Sequence, residues 1–162
     1  SEPVSDRSSW GVVLTREPDS TLRRARGGQV ANLTFAIEPG NADFAVTASR
    51  TIEEETYLAN MMPHMHVRGK SAKYTVKYED GTEVVALSVP NYDFNWQLTY
   101  VLEEPIFMPK GTVLEAEFHY DNSGANRHNP DPTAEVHWGD QTWEEMMIGF
   151  INYVEPRPRS KR

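Results

Sequence analysis

The stretch AKYTVKYEDGTEVVALSV, residues 72–89, decides the fold class. Its first half alternates, with Tyr74, Val76 and Tyr78 on one side and Lys73, Thr75 and Lys77 on the other. That is the period-2 pattern of a half-buried strand. Asp80-Gly81 then supplies a tight hairpin with positive φ at both residues, and residues 82–89 return. Working outward, residues 33–37 and 43–48 flank a Glu-Pro-Gly-Asn turn and read as a second turn-linked pair. Residues 100–102 lead into 106–108, Pro109-Lys110-Gly111 turns the chain, 112–120 alternates again, and 146–154 is the last strand. Eleven prolines and ten glycines punctuate these segments at the short intervals of an all-β antiparallel sandwich. Nothing reads as a helix of more than a turn or two.

A chain of 162 residues suits one domain with a real core. The net charge of -8 argues against nucleic acid or an anionic membrane surface as main partner, since both demand basic patches. No apolar run is long enough for a membrane span. The absence of cysteine removes disulfides, thiolate catalysis and cysteine-based zinc sites. The opening Ser1-Glu2-Pro3, with neither initiator Met nor signal-peptide core, reads as a processed piece of a longer chain. The expected organisation is a leading strand (residues 8–14) and irregular connection over 1–30, a sandwich domain over 31–155, and a disordered basic tail over 156–162.

Against this background NMMPHMHVRGK, residues 60–70, stands out. A packed core does without imidazoles, and a solvated face does without methionines. On a strand, His64 and His66 project from one face, with Cβ atoms about 6.5 Å apart, close enough to lean onto one metal ion. Met65 must then face the core. Taken alone, a His-x-His pair is also what ordinary strand residues produce. A thioether ligand changes the chemistry, because sulfur favours Cu(I) while imidazole accepts both copper oxidation states. Met62, on the face of the histidines, and Met146 or Met147 in the last strand are the candidates, and spacing does not choose between them. Asp93-Phe94-Asn95-Trp96-Gln97 reads as a core tryptophan among polar groups, with a pocket wall as the alternative.

Four blocks, PHMHVRGK, VPNYDFNWQ, YDNSGANRHNP and VHWGDQTWEEMMIG, occur in order within residues 35–154. They resemble the C-terminal domain of the copper type II, ascorbate-dependent monooxygenases, the family of peptidylglycine α-hydroxylating and dopamine β-monooxygenases, in a bacterial branch. The resemblance implies an antiparallel sandwich of jelly-roll type and one copper ion held by His64, His66 and Met146. It implies that this copper, once reduced, activates O2 to hydroxylate a substrate C–H bond, with ascorbate or a similar reductant. His137 matches a histidine that precedes the methionine, which implies an orienting role beside the metal ligands, with a buried structural histidine as the alternative. A periplasmic or secreted location follows from the family.

The chain also departs from that family. The positions that hold peptide substrate in the peptide-hydroxylating member are here Met62, Ile148 and Phe150, all apolar, so an apolar or weakly polar substrate pocket is expected instead of peptide amidation. The electron-donor copper of the family needs three histidines in a preceding domain, and His119, His128 and His137 show no such arrangement. An upstream electron-donor domain is therefore expected to complete turnover. The alternative is a non-catalytic copper-binding or interaction module on the same sandwich.

Overall fold

The computed structural model describes residues 5–12 and 25–156. Ten strands follow one another: β1 Ala25–Asn32, β2 Ala36–Ile37, β3 Phe44–Thr51, β4 Thr56–His64, β5 Gly69–Lys77, β6 Glu83–Val89, β7 Tyr100–Met108, β8 Val113–Tyr120, β9 Val136–His137 and β10 Met147–Val154. Among the described residues there is no helix, and no helix is long and apolar enough to cross a membrane.

Pairing is antiparallel and nested: β1 with β10, β3 with β8, β4 with β7 and β5 with β6. The chain thus behaves as one long double strand. Rolling it up adds the contacts β10–β4 and β8–β5, which close two four-stranded sheets in the orders β1-β10-β4-β7 and β3-β8-β5-β6. This is the arrangement of a jelly roll, as expected. A two-residue pair, β2 with β9, stands apart from both sheets.

The pleat explains what lies between the layers. On β8, Leu114, Ala116, Phe118 and Tyr120 are fully buried and alternate with partly exposed residues. Leu58, Met61, Met147 and Ile151 face them from the first sheet, with Tyr74 and Val76 of β5 beside Phe118 and Leu114. Each large side chain so buried contributes about 1.5–3 kcal/mol. The opposite face of the second sheet carries charge ladders across β5 and β8, Lys73–Glu117 at 2.9 Å and Lys77–Glu115 at 2.7 Å. Met65 is fully buried.

Several expectations need correction. Residues 33–37 and 43–48 do not pair with each other; β2 joins β9 and β3 joins β8. The irregular connection expected up to residue 30 is strand from Ala25 onward, because the edge of the first sheet takes up Arg26, Gly27 and Gly28 against β10. The sandwich accordingly includes Ala25–Asn32, ahead of the expected boundary at residue 31. Residues 8–12 form no strand, and residues 13–14, like the tail beyond Pro156, lie outside the described residues. In the β5–β6 turn only Gly81 has positive φ, at 86°. Gly81 N–H donates to the Tyr78 carbonyl and Tyr78 N–H to the Thr82 carbonyl, a three-residue loop with a left-handed glycine in place of a two-residue turn.

On the inner face of β10, Gly149 lets the buried Tyr74 ring approach: a Cβ there would lie 2.9 Å from both Tyr74 Cε1 and the hydroxyl oxygen. Gly149→Ala is expected to destabilise the fold by about 1–3 kcal/mol in urea unfolding. Gly124→Ala, where an added Cβ meets nothing within 4 Å, should stay within about 0.5 kcal/mol of wild type. Equal effects would contradict this packing.

Candidate metal centre

The first sheet's outer face carries the candidate residues. In the β4–β10 register His64 pairs with Ile148 and Met62 with Phe150, and paired residues point the same way. The inward partners of the same strands, Met61, Met147 and Ile151, are the buried core residues. β4 ends at His64, so His66 lies beyond it, in a turn closed by Gly69 N–H donating to the His66 carbonyl at 3.1 Å. The pair is thus not two residues of one strand. Its rings nevertheless face each other edge to face, 5.4 Å between centres at 87°.

Each ring is held by its Nδ1. Gln97 Nε2 donates to the Phe94 carbonyl at 2.9 Å, which leaves Gln97 Oε1 to accept from His64 Nδ1–H at 2.6 Å. His66 Nδ1–H donates to the Glu144 carbonyl at 3.1 Å. Both acceptors fix the Nδ1–H tautomer and leave Nε2 as the lone pair of each ring, the arrangement in which metal-binding histidines are oriented. Two rings whose nitrogens sit about 2.0–2.1 Å from one ion have centres about 5 Å apart at a near-tetrahedral angle. The observed separation fits that. Burial pushes the His66 imidazole below its ordinary pKa, against the Glu144 carbonyl and with the help of His64. A neutral ring is the form that binds metal.

The methionine is brought in by a carboxylate that the sequence reading passed over. Glu145 is fully buried. Its Oε1 accepts from Arg68 N–H at 2.7 Å, and its Oε2 accepts from His66 N–H at 2.8 Å and from Met146 N–H at 3.3 Å. One oxygen therefore ties the backbone of a candidate imidazole to that of the candidate thioether. The β4–β10 ladder itself ends at Ile148–His64, so the link between these two backbones is the carboxylate. Tyr120 Oη, donating to the Met146 carbonyl at 2.8 Å, anchors the other side of that residue. Met62 sits instead one pleat back along β4, opposite Phe150.

Around this clamp the segment after the histidines is fixed by buried polar groups. Arg68 is 1% exposed. It donates Nε–H to Asn122 Oδ1 at 2.8 Å and Nη1–H to the Trp143 carbonyl at 2.8 Å. Asn122 in turn donates to the carbonyls of Glu38 and Ala134. Tyr92 hydroxyl donates to the Met65 carbonyl at 2.8 Å and accepts from Met65 N–H at 3.1 Å. Gly69 makes room for it: a Cβ there would lie 2.7 Å from both Met65 Cβ and the Tyr92 ring. The signals that could have found these residues are an arginine among apolar neighbours, a glycine straight after it, and a glutamate abutting the methionine.

The remaining candidates fall elsewhere. His137 is exposed on β9 with Nε2 2.9 Å from Glu135. Its expected orienting or buried role is corrected: only its backbone carbonyl serves the centre, accepting from Glu145 N–H at 3.1 Å. His119 lies on the second sheet between Asp43 and Glu117. Ile148 is the register partner of His64, the Phe150 ring lies 6.1 Å from His64 and the Phe94 ring 6.2 Å from His66. Trp96 is 64% exposed, not a core residue. Among the described residues no group of three or more His, Cys, Asp or Glu is placed to hold a metal ion.

Burial raises the Glu145 carboxyl from 4.5 to about 7, while the backbone donors and Arg68 oppose the rise. Between those values the folded chain holds a proton that the unfolded chain has released, so stability falls as pH rises from 4.5 to about 7. In metal-free protein, the stability of wild type relative to Glu145→Gln should drop by about 3 kcal/mol across that window. A difference independent of pH would contradict the buried carboxyl.

No family model matches the chain, and no curated protein does. Among solved structures, that of infectious bursal disease virus Gt strain is similar with a TM-score of 0.40 and 14% identity, covering 81% of this chain and 32% of that one. The Gx strain structure gives 0.37 and 11%, covering 81% and 40%. The VP2 subviral particle of the same virus gives 0.37 and 12%, covering 81% and 41%. The chain thus spans less than half the length of each.

Proposed function

We propose that this chain is a mononuclear copper-binding domain, equivalent to the oxygen-activating half of an ascorbate-dependent C–H hydroxylating monooxygenase, with His64, His66 and Met146 as ligands. The observation that carries the reading is the hydrogen bonding of the pair: both Nδ1 atoms are committed to acceptors, and the rings stand 5.4 Å apart. Bound copper would supply one-electron chemistry toward O2, drawing on a reductant such as ascorbate.

The chain's own residues do the rest. Gln97 and the Glu144 carbonyl orient the rings, and Glu145 holds His66 and Met146 together. A thioether beside two imidazoles favours Cu(I) without excluding Cu(II), as a cycling site requires. Phe94, Phe150, Ile148 and Met62 give the surroundings an apolar character suited to a C–H substrate, in keeping with the loss of a peptide clamp. Resemblance to an exported family supports a periplasmic or secreted location.

One observation favours the non-catalytic alternative, a copper-binding or interaction module. His119, His128 and His137 lie on separate elements, so the described residues offer no second three-histidine copper site. Turnover would then need an electron-donor domain from elsewhere.

Copper titration followed by EPR should give one ion per chain. His64→Ala and His66→Ala should each lower Cu(II) affinity at least a hundredfold. Met146→Ala should lower Cu(I) affinity about tenfold or more while largely sparing Cu(II). Unchanged stoichiometry and affinity in all three variants would defeat the proposal, and an effect in Met62→Ala but not Met146→Ala would reassign the sulfur.

A further inference from the structure

On the His66 side of the pair, between residues 91–95 and 121–128, lies a cleft of about 550 Å³ that includes neither Met62 nor Phe150. That volume falls within the range of small-molecule sites. Val67, Gly69 and the half-buried rings of Tyr92 and Phe94 give it an apolar part, and the Phe94 ring is the one 6.2 Å from His66. Both sides are held by hydrogen bonds of their own. Tyr92 hydroxyl is fixed at both backbone groups of Met65, and Tyr92 N–H donates to the Lys70 carbonyl at 2.9 Å. Asp93 Oδ1 accepts from Asn95 N–H at 2.8 Å. Across the cleft Asp121 Oδ1 accepts from Ser123 N–H at 2.9 Å, and Asn126 Nδ2 donates to the carbonyls of Val67 and Asp121.

Several polar groups of this lining are unspent among the described residues. Asp93 and Asp121 each use one carboxylate oxygen in those turns and leave the other open. The side chains of Asn91, Arg127 and His128 make no hydrogen bond or ion pair there. Lys70, by contrast, is already bound to Asp43 at 2.9 Å. The open charges are thus one guanidinium against two carboxylates, a balance that disfavours an anion.

We propose that this cleft binds a neutral polyhydroxylated ring, a mono- or disaccharide, with its C–H face on Tyr92 and Phe94 and its hydroxyls on Asp93, Asp121, Asn91 and Arg127. The carboxylates only accept and the guanidinium only donates, whereas a hydroxyl does both. Neighbouring hydroxyls on one ring therefore serve both kinds of group at once. An apolar ligand of the same shape would strip water from the open carboxylate oxygens and return no hydrogen bond. A cationic amine would meet the Arg127 guanidinium. The inference rests on the copper reading only in taking the bound ring, through Phe94, to lie beside the metal; the cleft itself is independent of it.

The test uses the metal-free full chain, isotope-labelled, with cellobiose and maltose as probes and cyclohexanol and cyclohexanecarboxylate as controls. At least one disaccharide should shift the amide signals of Gly69, Asn95 and Ala125 saturably. Cyclohexanol, which keeps the ring but one hydroxyl, and the anionic carboxylate should each bind at least tenfold more weakly. Asp93→Asn and Arg127→Ala should each weaken the disaccharide at least fivefold without changing the melting temperature. The proposal is overturned if neither disaccharide gives a saturable shift, if either control binds as well, if either variant leaves affinity unchanged, or if the shifts map instead to Asn60 and Phe150. None of these outcomes alters the copper titration, so the two readings fail separately.

Discussion

The centre depends on one buried carboxylate. Glu145 accepts three backbone N–H groups, two from the turn after β4 and one from the residue that leads into β10. The two strands are neighbours in the first sheet, but their ladder ends at Ile148–His64. Beyond that point no strand pairing holds His66 near Met146. The carboxyl group takes over where the ladder stops, accepting N–H bonds from His66, Arg68 and Met146.

Burying such a group is costly unless every polar atom around it is satisfied. Here the cost is spread over a connected set. Arg68 lies fully buried beside Glu145 with its own donors placed on Asn122 and on the Trp143 carbonyl. Asn122 reaches two further carbonyls and is itself bonded by Asn129. The result joins segments from four parts of the chain into one rigid support under the histidines. A rigid support suits a metal site, where ligand geometry must be set before the ion arrives.

Much of the fold was legible because the sandwich obeys period two. Residues 72–89, 100–108, 112–120 and 146–154 announce their strands, since each has one face on the core and one in water. The first strand was hidden, because Ala25–Asn32 is an edge rich in glycine and charge, with little alternation to read. The misplaced pairing of residues 33–37 had a similar origin: a turn in sequence suggests a hairpin, whereas a jelly roll pairs strands that are far apart in the chain. At the centre, the histidines and methionines were visible as unusual residue types at short spacing. Glu145, Arg68 and Gln97 were not, because their importance comes from where burial and hydrogen bonding place them. His137 misled for the opposite reason: it sits near Met146 in sequence, but its ring turns to Glu135.

The four sequence blocks that carry the family resemblance are the ones that meet at this centre. They supply the histidine pair and Arg68, then Tyr92 and Gln97, then Asn122, and finally Glu144, Glu145 and Met146. That convergence supports the copper proposal without any single close relative. X-ray absorption on the Cu(I)-loaded chain tests it most directly. The account predicts a first shell of two imidazole nitrogens and one sulfur, with the sulfur lost in Met146→Ala. A shell of nitrogen and oxygen alone, identical in wild type and variant, would contradict it.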